Sequence, residues 1–268
     1  MKKSIILICV FALVGCQTVL EDVAVPTAEV KAVVFYSVNN FGAGYSQLTL
    51  SRSKPVLNSS TTGEFEKIAD ATISLTGNGS ETDFVYLNPG YFLTNPNYKF
   101  EAGQAYTLKA VTPENGTLTS TVIMPDSVEQ YTLDLDSLDK DWEVQYNGRL
   151  TIPDNPDKEE YFRVEAFSRY FGSDQVMYMD GEYFSDENAA SGNINVRFTT
   201  YSWDDENGER PEVYLILSAI TKEHYNYGKT LYNYDPENPF SEPSPLPNNV
   251  QGGLGMFTVS NSRLIKLN

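Results

Sequence analysis

The sequence predicts an all-β protein, and three observations carry that expectation. Aromatic residues are abundant, with 18 Tyr and 14 Phe in 268 residues, and they stand beside many Val, Ile and Thr, the types that suit a pleated, half-buried surface. Short segments that alternate apolar and polar residues at period two recur along the chain, each closed by Gly, Pro or Asn. Helical periodicity shows in one stretch alone, near 221–233. Together these predict an N-terminal immunoglobulin- or transthyretin-like β-sandwich over 28–125, then a second antiparallel β domain over 126–268 with one short helix.

The elements follow in order. Val30, Ala32, Val34 and Tyr36 alternate as a strand does, and Gln47–Ser51 repeats the pattern. Val56–Phe65 is polar and glycine-containing, a loop. Ala71–Thr76 reads as a strand closed by Gly77-Asn78-Gly79, a hairpin signal. Asp83–Leu87, Tyr91-Phe92-Leu93 and Tyr98-Lys99-Phe100 are further short strands. Tyr106–Val111 and Leu118–Met124 form a closing hairpin around Pro113–Gly116. Met124-Pro125-Asp126-Ser127 is the domain boundary, because proline interrupts a strand there. Beyond it, Glu143–Ile152, Tyr161–Phe167 and Asn193–Phe198 alternate, while Val213–Ile220 is nearly continuously apolar and so predicts a central, buried strand. Asp204–Gly208 reads as a hairpin turn joining Phe198–Trp203 to Val213–Ile220. Thr221 is the expected N-cap of the helix. Prolines 236, 239, 243, 245 and 247 predict an extended loop, after which Gly252–Val259 and Leu264–Leu267 read as two last strands.

The N-terminus carries a different message. Met1-Lys2-Lys3 is a basic start, Ile5–Val14 an apolar run, and Leu13-Val14-Gly15-Cys16 puts a small residue before a cysteine. This resembles the lipobox of bacterial lipoproteins. The resemblance implies a signal peptide over 1–15, with Cys16 as first residue of the exported chain, carrying a diacylglyceryl thioether and an acylated amine, palmitate among the chains. The apolar run is shorter than the roughly 20 residues that span a bilayer. Residues 16–27 are a tether between lipid and domain.

Composition narrows the function classes. Against 19 basic residues stand 36 acidic ones, a net charge of −17, which disfavours nucleic acid and anionic lipid headgroups as partners. Of the two cysteines, Cys9 lies in the signal and Cys16 is lipidated, so no disulfide is expected. A single histidine, His224, must serve any triad or zinc site, and neither is assembled by its neighbours. No phosphate-cradling glycine loop precedes a helix. No catalytic residues, metal or cofactor are therefore expected, and the protein is read as non-enzymatic. Asp134, Asp136, Asp139 and Asp141 could in principle hold calcium, but the glycine and terminal glutamate of an EF-hand loop are missing. The other reading is an acidic strand edge that resists edge-to-edge pairing, and the sequence leaves both open. Tyr170, Tyr178, Tyr183 and Trp203 are the candidate ligand or partner surface, since clustered aromatics outside a core mark recognition.

The last third also carries a family likeness. His224-Tyr225-Asn226-Tyr227-Gly228-Lys229-Thr230-Leu231, then Asn238-Pro239-Phe240-Ser241-Glu242-Pro243, then Asn248-Asn249-Val250-Gln251-Gly252-Gly253-Leu254-Gly255-Met256-Phe257 resemble the C-terminal signature of the domain of unknown function 4249 family, lipoproteins of Bacteroidota. Leu48–Ser53, Ala71-Thr72-Ile73, Ala105–Leu108 and Met124-Pro125 fit its N-terminal half. The resemblance implies an outer-membrane location, on the periplasmic or the surface face, and an accessory or ligand-binding role beside a TonB-dependent uptake receptor. Two other classes are carried: a surface glycan hydrolase using a carboxylate pair, and an adhesin or envelope-structural protein.

Overall fold

The computed structural model describes residues 29–41, 46–54, 64–170, 176–178, 181–190, 192–205, 208–233 and 245–268. The chain divides into two compact units. One, Met1–Val30 with Lys54–Gly63, lies almost wholly outside the described residues; the other, Lys31–Ser53 with Glu64–Asn268, carries all the elements below. The expected loop at Val56–Phe65 falls mostly outside the described residues, as do Cys16 and much of the proline-rich loop.

Fifteen strands and one α-helix are described. In chain order they are β1 (Ala32–Asn39), β2 (Thr49–Arg52), β3 (Thr72–Gly77), β4 (Ser80–Leu87), β5 (Gly90–Leu93), β6 (Ala105–Thr112), β7 (Gly116–Ile123), β8 (Thr132–Lys140), β9 (Glu143–Pro153), β10 (Tyr161–Arg169), β11 (Val176–Tyr178), β12 (Glu182–Ser185), β13 (Asn193–Trp203), β14 (Glu212–Ile220), α1 (Lys222–Tyr232) and β15 (Leu254–Lys266). They build three sheets: seven strands ordered β11-β10-β14-β15-β1-β2 with β12 also on β10, five ordered β5-β4-β3-β6-β7, and three ordered β13-β9-β8. The protein is thus all-β and sandwich-like, with one α-helix among the described residues. The larger sheet takes strands from both sides of the expected boundary at 125/126.

Local chemistry explains the hairpins. Asn78 and Gly79 both take positive φ, 49° and 69°, the backbone a two-residue turn needs to match the twist of β3 and β4. Tyr98-Lys99-Phe100 forms no strand. The rings of Tyr98 and Phe100 are buried instead, and the Tyr98 hydroxyl donates to the Gly77 carbonyl at 3.0 Å, so the segment closes the end of the central strand β3 from outside the ladder.

Two cores result. In the first, the five-stranded sheet faces β1, β2 and the first half of β15, with Tyr36, Leu48, Tyr91, Tyr106 and Phe257 fully buried. Tyr36 stacks on Phe257 at 5.7 Å and meets Phe84 edge-on at 5.2 Å, arrangements that add about 0.5–1.5 kcal/mol each beyond burial. Tyr91 Oη donates to the Ile68 carbonyl at 3.0 Å and accepts from Ala71 N at 3.0 Å, so a buried ring also holds the chain leading into β3. In the second core the three-stranded sheet covers β10 and β14, through Leu150, Ile194, Phe162, Val164, Leu215 and Leu217. Gly148 of β9 lies under the Phe198 ring of β13, where a Cβ would collide with it.

β15 joins the cores. It pairs in parallel with β1, Val33 opposite Leu254 through Asn39 opposite Ser260, and antiparallel with β14, Ile220 opposite Ser260 through Tyr214 opposite Lys266. Its thirteen residues reach about 43 Å at the rise of a strand. On one face Phe257 and Val259 enter the first core and Ile265 the second. Between them on that face, Asn261 Nδ2 donates to the Pro125 carbonyl at 3.0 Å, and Arg263 donates to the Val128 and Glu129 carbonyls at 2.9 and 3.2 Å. The two strands expected from Gly252–Val259 and Leu264–Leu267 are therefore one. Asn261 to Arg263 look like a break because their side chains serve the 125–129 connection and the opposite face instead of a core.

The expected hairpin at Asp204–Gly208 is also corrected. β13 pairs with β9, whereas β14 pairs with β10 and β15, so this connection crosses between sheets. Arg210 spans it, with Nε 3.0 Å from Asp204 and Nη1 2.7 Å from Asp139 of β8.

Close backbone approach governs the start of β15. Gly255 has φ 126°, and a Cβ there would strike the carbonyl of Val34 on the adjoining β1. Asn249 clasps the next turn of chain, accepting from Phe257 N at 2.9 Å and donating to Phe257 O at 2.7 Å. Gly255→Ala is expected to lose at least about 2 kcal/mol of stability through strain and a displaced ladder, measured by urea denaturation. An unchanged midpoint would show that β1 and β15 need no such close approach.

Candidate functional site

The four aromatic candidates do not form one surface. Tyr170 and Trp203 meet at the end of the three-stranded sheet, where Tyr170 Oη donates to the Trp203 carbonyl at 2.7 Å. Trp203 Nε1 donates to Glu143 at 3.1 Å, and its ring lies 6.1 Å from that of Tyr201. Tyr183 sits elsewhere, on β12 opposite Arg163 of β10, because β12 belongs to the larger sheet. Tyr178 lies on β11, and its side chain is outside the described residues. The acidic cluster follows the edge strand β8, with Asp134 opposite Arg149 and Asp136 opposite Asn147 on β9. Among the described residues, no three His, Cys, Asp or Glu side chains stand together so as to hold a metal ion, and no helix is long and apolar enough to cross a membrane.

Two of the concavities among the described residues bear on function. The larger, about 560 Å³, lies along the 125–130 connection and is walled by Ile152, Tyr161 and Phe162 together with Glu129, Glu159 and Glu160. Its rim is tied by Lys158 to Asp126 at 2.7 Å. Two adjacent carboxyls there have opposite proton affinities. Glu159 is held below the ordinary carboxylate range by hydrogen bonds from Lys222 and Tyr161. Glu160 is raised by burial, against a hydrogen bond from Asn155 N.

The smaller, about 90 Å³, lies between the first turn of α1 and the larger sheet. Thr221 caps that helix, its Oγ1 accepting from His224 N at 3.3 Å, and this sets His224 facing the sheet. His224 is 8% exposed, with its ring 5.9 Å from that of Tyr183. Tyr183 in turn lies 5.2 Å from the Arg163 guanidinium, and Arg163 Nη2 meets Glu165 at 2.6 Å. Glycines allow this packing. A Cβ on Gly228 would enter the Tyr183 ring, and one on Gly181 would stand 2.7 Å from Glu165 Cγ and 2.8 Å from Arg163 Nε. Ser218 and Ser262 share a buried hydrogen bond of 2.8 Å on the floor. Sequence reasoning weighed His224 alone and missed Arg163, Glu165 and the serines. The available signal was position: Ser218 sits inside the apolar run 213–220, on the side opposite Leu215 and Leu217.

Burial, with the charge of Arg163 as the lesser cause, lowers the His224 imidazole from 6.5 to about 4. The unfolded chain then binds this proton first as pH falls, so the contribution to stability is whole above about 6.5 and is lost toward 4. Roughly 3 kcal/mol is at stake. The other titratable groups beside the ring are Arg163 and Glu165 of β10 and Tyr183 of β12. Glu165 is raised by burial and opposed by Arg163, which acts in the opposite sense. Urea denaturation from pH 7 to 4 on wild type and His224→Asn isolates the histidine: the variant is expected to lose less stability over that range, and parallel curves would refute the assignment.

With this geometry in hand, comparisons place the chain. No curated protein matches it. A crystal structure of a DUF3823 family protein from Parabacteroides merdae ATCC 43184 aligns over 72% of this chain and 91% of its own, at 12% identity and a TM-score of 0.18, a likeness too slight to carry an argument. The model of the family described as Domain of unknown function (DUF4249) matches residues 21–264, nearly the full length. The chain belongs to that family.

Proposed function

We propose that this protein is a lipid-anchored accessory protein of the outer membrane, non-enzymatic, which binds a ligand for a TonB-dependent uptake receptor or docks on the receptor itself. The observation that carries the reading is Leu13-Val14-Gly15-Cys16 behind a basic start and an apolar run. Acyl chains on Cys16 fix the body to a bilayer through two or three hydrophobic tails, enough for stable anchoring. The residues after it supply a tether, and the acidic body keeps clear of anionic headgroups. The cavity of about 560 Å³ has the volume of a small-molecule site. The uptake partner rests on the family setting that the resemblance implies.

A second reading is favoured by one observation. Glu159 and Glu160 wall the same cavity with proton affinities driven apart, the division of labour that glycoside hydrolysis asks of its acid and base.

The leading reading expects labelled palmitate to enter wild type and not Cys16→Ser, and expects the variant to leave the membrane fraction. Detergent extracts of tagged wild type are expected to bring down a β-barrel receptor. Palmitate-free wild type would sink the anchor, and extracts lacking any barrel would sink the partnership. Release of reducing sugar from envelope glycans, abolished in Glu160→Gln, would install the hydrolase reading in its place.

A further inference from the structure

Helix-on-sheet packing is ordinarily apolar, yet the sheet face under α1 is not. Ser218 lies opposite Ser262, and Ile220 and Asn39 both lie opposite Ser260, so Ser218, Ser260 and Ser262 share one side of the sheet with Ser37, the side away from the two cores. With Arg163 these serines enclose the chamber of about 90 Å³ that the first turn of α1 roofs. His224 Nδ1 and Arg163 Nε have no exposed surface and no hydrogen-bond partner. An unpaired buried polar atom is costly, so a protein that keeps two beside a cavity fills that cavity with something that hydrogen-bonds. The room matches about three waters, or one solute of about four non-hydrogen atoms.

Charge limits what fits. Arg163 is already matched by Glu165 at 2.6 Å, so an ion entering here would lack a counter-charge and bear the full cost of desolvation. Arg163 Nε can only donate, whereas imidazole Nδ1 accepts or donates according to tautomer, and serine hydroxyls do both. A neutral group that both donates and accepts satisfies all of them. We propose that the chamber beneath α1 is a binding site for a small neutral solute bearing a hydroxyl or amide, held by His224 Nδ1 and the serine hydroxyls with Arg163 on the wall. The site is separate from the larger cavity and does not depend on the lipid anchor.

His224 is the sole histidine, so protein labelled with ¹⁵N-histidine reports this one ring. Acetamide and 1,2-ethanediol are titrated separately, with glucose as a solute too large for the chamber. About millimolar dissociation constants are expected, weaker than the ceiling set by the best binding per atom for a ligand of about four non-hydrogen atoms. The expected result is a saturable one-site shift of the Nδ1 resonance with acetamide or ethanediol, none with glucose, and about tenfold weaker binding in Ser218→Ala. Absence of a saturable shift with both small solutes, a chamber that holds water alone, overturns the proposal, as does an equal response to glucose. Should Ser218→Ala fail to fold, the wild-type titrations decide by themselves.

Discussion

The hydrogen-bond ladders on the two sides of β15 hold the larger sheet together. On one side lies β1, from the opposite end of the chain; on the other lies β14. β15 also threads both cores on a single face, placing Phe257 and Val259 in one and Ile265 in the other. Its middle residues, Asn261 and Arg263, satisfy carbonyls of the connection at 125–129. The bonds to Pro125 and Val128 are part-buried, a setting where an unpaired group is costly. A strand so placed leaves little freedom to either half, because a one-residue slip would turn every core side chain outward.

The same sheet therefore has two chemically different faces. One is apolar and covered by two other sheets. The opposite face carries serines, Arg163 and Glu165, and is covered by α1, whose contacts include Tyr227 on Phe35 at 5.8 Å, Tyr225 on Tyr161 at 5.1 Å, and Lys222 on Glu159 at 2.8 Å. These contacts clamp the margins of the helix and leave the polar chamber between. The Lys222–Glu159 pair reaches the wall of the larger cavity as well, so the helix that roofs one concavity also sets a carboxylate in the other.

Much of the fold was legible before any coordinates. Asn78-Gly79, Gly116 and Thr221 announce their turns and cap through local chemistry, and the apolar run Val213–Ile220 announces a buried central strand because both its faces are covered. What misled was pattern without partner. Ser260–Arg263 reads as a break, since its polar side chains meet backbone and helix, and nothing local reveals those partners. Asp204–Gly208 reads as a hairpin, since a turn motif states that the chain reverses without stating which sheet receives it. The candidate aromatics were chosen by proximity in sequence, yet Tyr183 belongs to a different sheet from Trp203.

Residue order alone specifies the strand-rich class, the helix after Thr221 and its cap, the family, and the cysteine motif that points to a lipid. These depend on spacing within a few residues, which turn geometry, period-two alternation and capping make readable. It took the folded arrangement to establish that β1 and β15 lie side by side, that Ser218 and Ser262 face each other beneath His224, and that Glu159 and Glu160 share a cavity. Long-range pairing is set by the joint fit of side chains from distant segments, and that information does not reside in any one of them.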